Sequence, residues 1–142
     1  MSEPATGRVL ALDLGDARIG VAISDPDRRL AVPVGTIHVG QPPGELKAVA
    51  ALVAEHDATV LVIGLPRSMS GEEGARAALA REFGGALEAV VEVPIEFQDE
   101  RLSTVEAERA LRDAGVTGRE RRRVVDRSAA TVILQAWLDA HR

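Results

Sequence analysis

Three carboxylates stand at positions where chemistry is the first question. In the stretch LALDLGDARIG (10–20), Asp13 follows four apolar residues, Val9 to Leu12. Such a run reads as a buried strand, where a lone carboxylate is costly to desolvate. Asp126 raises the same question in helical phase. Ala130, Ile133 and Trp137 follow it at i+4, i+7 and i+11. At about 100° per residue the four fall within roughly 60° of arc, on the stripe that faces the sheet. Glu100 belongs to DER (99–101), at the exit of the strand PIEFQ (94–98). Alternation sets Ile95, Phe97 and Asp99 on one face and Glu96, Gln98 and Glu100 on the other. Ile95 and Phe97 mark the core side, so this selects only weakly between Asp99 and Glu100.

Carboxylates that share a site repel one another and raise a pKa. A divalent cation turns that repulsion into coordination. Two hard cations roughly 4 Å apart could activate water and stabilise the leaving oxygen in phosphodiester hydrolysis. The chain has no cysteine, and its three histidines, His38, His56 and His141, are scattered. Any metal would therefore be held by oxygen, which suits Mg²⁺ or Mn²⁺. Each acid also has a plain structural reading: Asp13 as an acceptor of turn N–H groups, Glu100 as a surface partner of Arg101, Asp126 as a buried partner of a nearby arginine.

The arginines divide in the same way. GRERRRVVDR (118–127) holds five arginines in ten residues. Arg119 and Arg122, seven and four residues before Asp126, share its stripe, and Arg123 belongs to the same run; such a patch can bind a phosphate backbone. The plainer reading is a solvated helix start. In GLPRSMSG (64–71), Arg67 could touch phosphate and Ser68 or Ser70 could donate hydrogen bonds to it; otherwise the segment is a strand-to-helix connection.

The elements that must position these groups follow from periodicity. Residues 8–14 and 19–25 form a hairpin across GDAR (15–18), with a third strand at 32–39. Leu46, Val49, Ala50 and Val53 predict an amphipathic helix over 45–56. TVLVIG (59–64) is a central strand buried on both faces. LPRSMSGEEG (65–74) is a loop ending at a helix start, since Ser70 and the glutamates suit the N-terminal turn; the helix carries Ala75, Leu79 and Phe83, and Gly84 and Gly85 weaken it or end it early. A fifth strand covers 94–98, with Pro94 opening it. STVE (103–106) fits a capping box for a helix ending near Gly115, and TGRE (117–120) a second one, for the longest helix, to about Ala140. The order βββ, αβ, αβ, αα describes a mixed sheet with helices packed on it rather than a pure Rossmann alternation.

The 142 residues favour one domain, with residues 1–7 as a flexible tail. Apolar residues make up 46% of the chain, enough for a real core, whereas aromatics at 2% argue against base-stacking platforms of the single-strand-binding kind. The net charge of −5 weighs against a non-specific nucleic-acid binder except through a local basic patch. No window approaches a membrane span, and the N-terminus lacks the basic and apolar regions of a signal peptide, so the expectation is a cytoplasmic protein with no membrane partner.

LALDLGDARIGVAISD, VIGLPRSMSGEEG, DERLSTVEAE and VDRSAATVILQAWL together resemble the YqgF, or RuvX-like, family of Holliday-junction resolvases. The motifs occur in the family's order and span residues 10 to 138. The resemblance implies an α/β, RNase H-like fold: a five-stranded mixed sheet, second strand antiparallel, flanked by helices. It implies a metal-dependent nuclease whose acids map onto Asp13, Glu100 and Asp126, with Asp99 the weaker choice for the middle one. Family members commonly carry a lysine shortly before the last acid, where this chain has arginines, a departure that bears on substrate binding. The implied substrates are branched DNA or precursor 16S rRNA; a junction would favour a homodimer, whereas RNA trimming needs only one site. Two other functions stay open at this stage: an actin- or Hsp70-like phosphate-binding lobe, for which 142 residues leave no second lobe, and a non-catalytic nucleic-acid-binding protein.

Overall fold

A computed structural model describes residues 6–67, 70–100 and 118–142, the last segment with side chains from residue 129 onward. Its strands are β1 (Val9–Leu14), β2 (Arg18–Ser24), β3 (Ala31–His38), β4 (Val60–Leu65) and β5 (Ile95–Asp99). Its helices are α1 (Glu45–Glu55), α2 (Ala75–Leu87) and α3 (Gly118–Ala140). The sheet order is β3-β2-β1-β4-β5. β2 runs antiparallel to both β1 and β3, while β1, β4 and β5 are parallel. This is the mixed sheet expected from the order of elements. The β1–β2 turn closes with the Gly15 N–H donating to the Arg18 carbonyl at 3.0 Å. A Cβ at Gly15 would lie 2.7 Å from that carbonyl oxygen, which reserves the position for glycine.

Alternation along the strands feeds two cores. Leu10 and Leu12 of β1, with Leu61 and Ile63 of β4, pack beneath α1 and α2. Val9 and Ala11, with Val60 and Val62, pack beneath α3, against Ala130, Ile133, Leu134 and Trp137. β4 is buried along its whole length because both of its faces are covered. Trp137, only 1% exposed, donates its indole N–H to Glu96 Oε1 on β5 at 3.4 Å and so pins α3 across the sheet. The edge strand β3 takes Pro33 without loss of a ladder bond that a central strand would need, and its register slips between Val21 and Ala22 of β2.

Three local expectations are corrected. Gly84 and Gly85 do not end α2, which continues to Leu87. Gly84 is instead the seat of an aromatic ring: a Cβ there would lie 2.8 Å from Phe97 Cζ. The helix starts at Ala75 behind Gly74, as the loop 65–74 predicts, but Ser70, Glu72 and Glu73 stand before its first turn rather than in it. Leu79 is not a core residue; it is 63% exposed, and Ala77, Ala80, Gly84 and Leu87 form the buried face. At the N-terminus, Thr6 and Gly7 are tied down, their carbonyls accepting from the Arg28 guanidinium at 3.1 and 2.9 Å. None of the described helices is long and apolar enough to cross a membrane. The capping boxes at Ser103 and Thr117 lie outside the described residues.

Candidate active site at the carboxyl ends of the parallel strands

Because β1, β4 and β5 are adjacent and parallel, their carboxyl ends meet at one edge of the sheet, where sites collect in open α/β folds. Asp13 lies near the end of β1, opposite Gly20 of β2. By alternation it shares the α3 face with Val9 and Ala11. Glu100 follows β5 directly, its N–H donating to the Leu65 carbonyl at 3.3 Å. Its carboxylate folds over Gly64 on that same face: a Cβ at Gly64 would meet Glu100 Oε2 at 2.5 Å and Ile133 Cδ1 at 2.6 Å. A glycine at the end of β4 is what leaves room for the second acid beside the first.

The two acids also act on each other through their charges. Burial, and then the negative charge of Asp13, push the Glu100 carboxyl from its usual 4.5 up to about 7, with Asp99 adding to the rise and Arg76 opposing it. Asp99, by contrast, belongs to the α2 face, where Arg67 Nη1 stands 3.8 Å from its Oδ2. Arg67 also bridges to Glu73 at 3.3 Å, and Glu73 is bound more tightly by Arg81, at 2.6 Å and 2.7 Å. The Arg81 hydrogen bond is the main reason the Glu73 carboxyl is held below its usual range. Arg81 in turn lies 5.1 Å over the Phe97 ring. The alternation read from the sequence is therefore sound, but its inference about the core was not. The face opposite Ile95 and Phe97 is itself a core, and Glu100 and Asp13 share it.

Arg67 is engaged in the ion-pair chain just described. Ser70 is exposed beyond β4. Ser68 and Arg101 lie outside the described residues, as do the side chains of Arg119, Arg122, Arg123 and Asp126, whose backbone belongs to the first half of α3. Sequence reasoning missed Arg76, in the first turn of α2, which lines the same cleft as Asp13, Gly64 and Glu100. No periodicity marks it, since its aim depends on where α2 begins.

Among the described residues no cluster of three acids or histidines could hold a metal ion. The pair that is described nevertheless suits a divalent cation. It offers only hard carboxylate oxygens, it is strained by like charge, and Gly64 leaves space beside it.

Sheet order, the single antiparallel strand within a parallel set, and acids at the carboxyl edge define the RNase H-like class of nuclease folds. Comparison with known proteins agrees. A family model described as "RuvX: Holliday junction resolvase" matches residues 7–140. A protein of Roseiflexus sp. (strain RS-1), named "Putative pre-16S rRNA nuclease", is 45% identical over 141 residues, 99% of each chain. One of the same name from Mycobacterium bovis (strain BCG / Pasteur 1173P2) is 47% identical over 138 residues, 96% of this chain and 81% of its own. Among solved structures, T. thermophilus RuvC in complex with a Holliday junction substrate superposes with a TM-score of 0.58 at 18% identity, over 94% of each chain. The human cytomegalovirus terminase nuclease domain does so at 0.51 and 13%, over 96% of this chain and 86% of its own. These two likenesses speak to the fold alone. The chain belongs to the RuvX family, and its class is that of a nuclease, a phosphodiester hydrolase.

Proposed function

We propose that this protein is a divalent-metal-dependent endonuclease that acts on precursor 16S rRNA at its 5′ end, with Asp13, Glu100 and Asp126 as its catalytic acids. The observation that carries the reading is that Glu100 folds over Gly64 into the cleft that Asp13 also lines, where burial and the charge of Asp13 raise its carboxyl to about 7. Asp99 is the poorer middle acid because Arg67 engages it on the opposite face. Asp126 stands one helical turn before the buried Ala130 of α3, the helix that covers the Asp13 face. The two relatives at 45% and 47% identity favour the RNA substrate by their names.

Asp13, Glu100 and Asp126 would hold Mg²⁺ or Mn²⁺. When bound, such a cation lowers the pKa of water and stabilises a leaving oxygen. The protein's own part is to fix the carboxylates on rigid strands and a helix. It also keeps one side of the site dry with Ile133 and presents a cationic field from Arg76. Arg67, Ser68, Arg101, Arg119, Arg122 and Arg123 would contact backbone phosphates. A single site suffices for trimming an RNA end, so a monomer is competent; work on rRNA precursors would place the protein in the cytoplasm.

A second reading, resolution of four-way DNA junctions by a homodimer, is favoured by the description of the matching family. One assay separates the two. Precursor 16S rRNA fragments and four-way DNA junctions are incubated side by side with Mg²⁺ or Mn²⁺. The expected result is cleavage of the RNA, reduced at least a hundredfold in Asp13→Asn with an unchanged circular dichroism spectrum. Cleavage by Asp13→Asn at the wild-type rate would overturn the site; faster cutting of the junction would overturn the substrate.

A further inference from the structure

The cleft that holds the acid pair is larger than hydrolysis at one phosphodiester requires. It encloses about 600 Å³ and continues from Asp13 and Glu100 to a wall built from Leu46 of α1 and Leu79 and Phe83 of α2. A space of that order suits a nucleotide-sized ligand. Leu79 is 63% exposed and stands on this wall rather than in the core, while the half-buried Phe83 packs against the core and turns part of its ring to the cleft. Arg76 stands toward the acid end. It is the one cationic side chain among the described residues that line the cleft, and its field reaches Glu100. Arg67 and Arg81, by contrast, are both engaged by Glu73.

We infer that this cleft is a subsite for one unpaired nucleotide of the substrate strand, with Arg76 on the phosphate neighbouring the scissile one and the base against Leu79 and Phe83. The inference rests on the nuclease reading above and adds to it the form of strand the site accepts. Charge assigns the ends of the nucleotide. Asp16, Glu45 and Glu82 also line the cleft and repel phosphate, which leaves Arg76 as the station for the backbone. An apolar wall rewards a base face, and carboxylates at the rim accept from exocyclic amines. A base still stacked in a duplex cannot enter such a space; one at an unpaired end or branch point can, without the cost of unstacking.

The test uses two fluorescein-labelled hairpins with one stem, blunt or with a 5′ single-stranded overhang, each made as RNA and as DNA. Binding is read by anisotropy with Ca²⁺ in place of Mg²⁺, and cleavage with Mg²⁺. The expected result is tighter binding of the overhang, the RNA and DNA arms reporting which strand supplies the nucleotide. Arg76→Ala should weaken overhang binding about tenfold and flatten the slope of log K against log salt by about 0.7, the loss of one single-strand phosphate contact. Arg76→Lys should restore the slope. Leu79→Asp, at an exposed position, should weaken the overhang hairpin about tenfold and leave the blunt hairpin unchanged. If the wild type cuts nucleic acid while Arg76→Ala and Leu79→Asp bind both hairpins as it does, the subsite is wrong and the nuclease reading stands. A wild type that cuts no RNA and no junction overturns both.

Discussion

Glu100 is ionised against its surroundings, and the consequence can be measured in the metal-free protein. Its carboxyl is raised in the fold from 4.5 to about 7, by burial first and by Asp13 second. The folded state therefore binds the proton more tightly than the unfolded chain does. The stability this contributes is fully present below about pH 4.5 and is lost as pH rises toward 7, with a plateau above. Glu100→Gln, neutral throughout, should escape that decline. In EDTA its Tm should exceed the wild type's at pH 8, and the two should converge toward pH 5. Parallel Tm curves across that range would mean that Glu100 carries no such strain. At this scale the candidate site was partly legible. An acid ending an apolar run exposes Asp13, and alternation placed Glu100 correctly on the face opposite Phe97. The sequence could not show that this face is also a core, because α3 makes it so from a distant part of the chain. Arg76 was not legible at all: it reaches the acids only because α2 starts behind Gly74, and Gly74 has no side-chain cap to announce it.

The elements themselves were read more easily than their junctions. The run 59–64, the hairpin and the helix at 45–56 follow from periodicity because each buries a continuous face. The adjacent glycines of α2 did not, since helix propensity treats both alike while the structure does not. Gly84 is buried, and a methyl group there would lie 2.8 Å from Phe97 Cζ and 3.4 Å from Ile63 Cδ1. A ring wedged between α2 and β5 cannot yield as a flexible chain end would. Gly85 is exposed, with nothing within 4 Å of an added Cβ. The two alanine substitutions should therefore differ in sign. Gly85→Ala should stabilise by about 0.5–1 kcal/mol, the propensity gain alone. Gly84→Ala should destabilise by about 1–3 kcal/mol, as overpacking outweighs the same gain. Urea denaturation of both variants decides the matter. Equal stabilisation would mean that α2 stands further from β5 than the ring contact requires.

Across the whole molecule, one sheet separates two cores and brings Asp13 and Glu100 to a single edge, so a metal held there as proposed would link its binding to folding. The protein carries a net charge of −5, and any divalent cation will associate loosely with its surface. A specific site is distinguished by needing the folded edge and a deprotonated Glu100. A ligand bound only by the native state stabilises it by RT ln(1 + [L]/Kd), about 1.4 kcal/mol at ten times Kd. For a chain of this size that is a rise in Tm of roughly 3–6 °C. At pH 8 the raised carboxyl of Glu100 is ionised and open to a cation; at pH 5.5 a proton occupies it and competes. Mn²⁺ should therefore raise Tm at pH 8, do so much less at pH 5.5, and lose most of its effect in Asp13→Asn. Loose surface association would give the same small rise at both pH values and in the variant. A full rise in Asp13→Asn would place the metal away from the carboxyl ends of β1 and β5, and the nuclease assignment of these acids would fall with it.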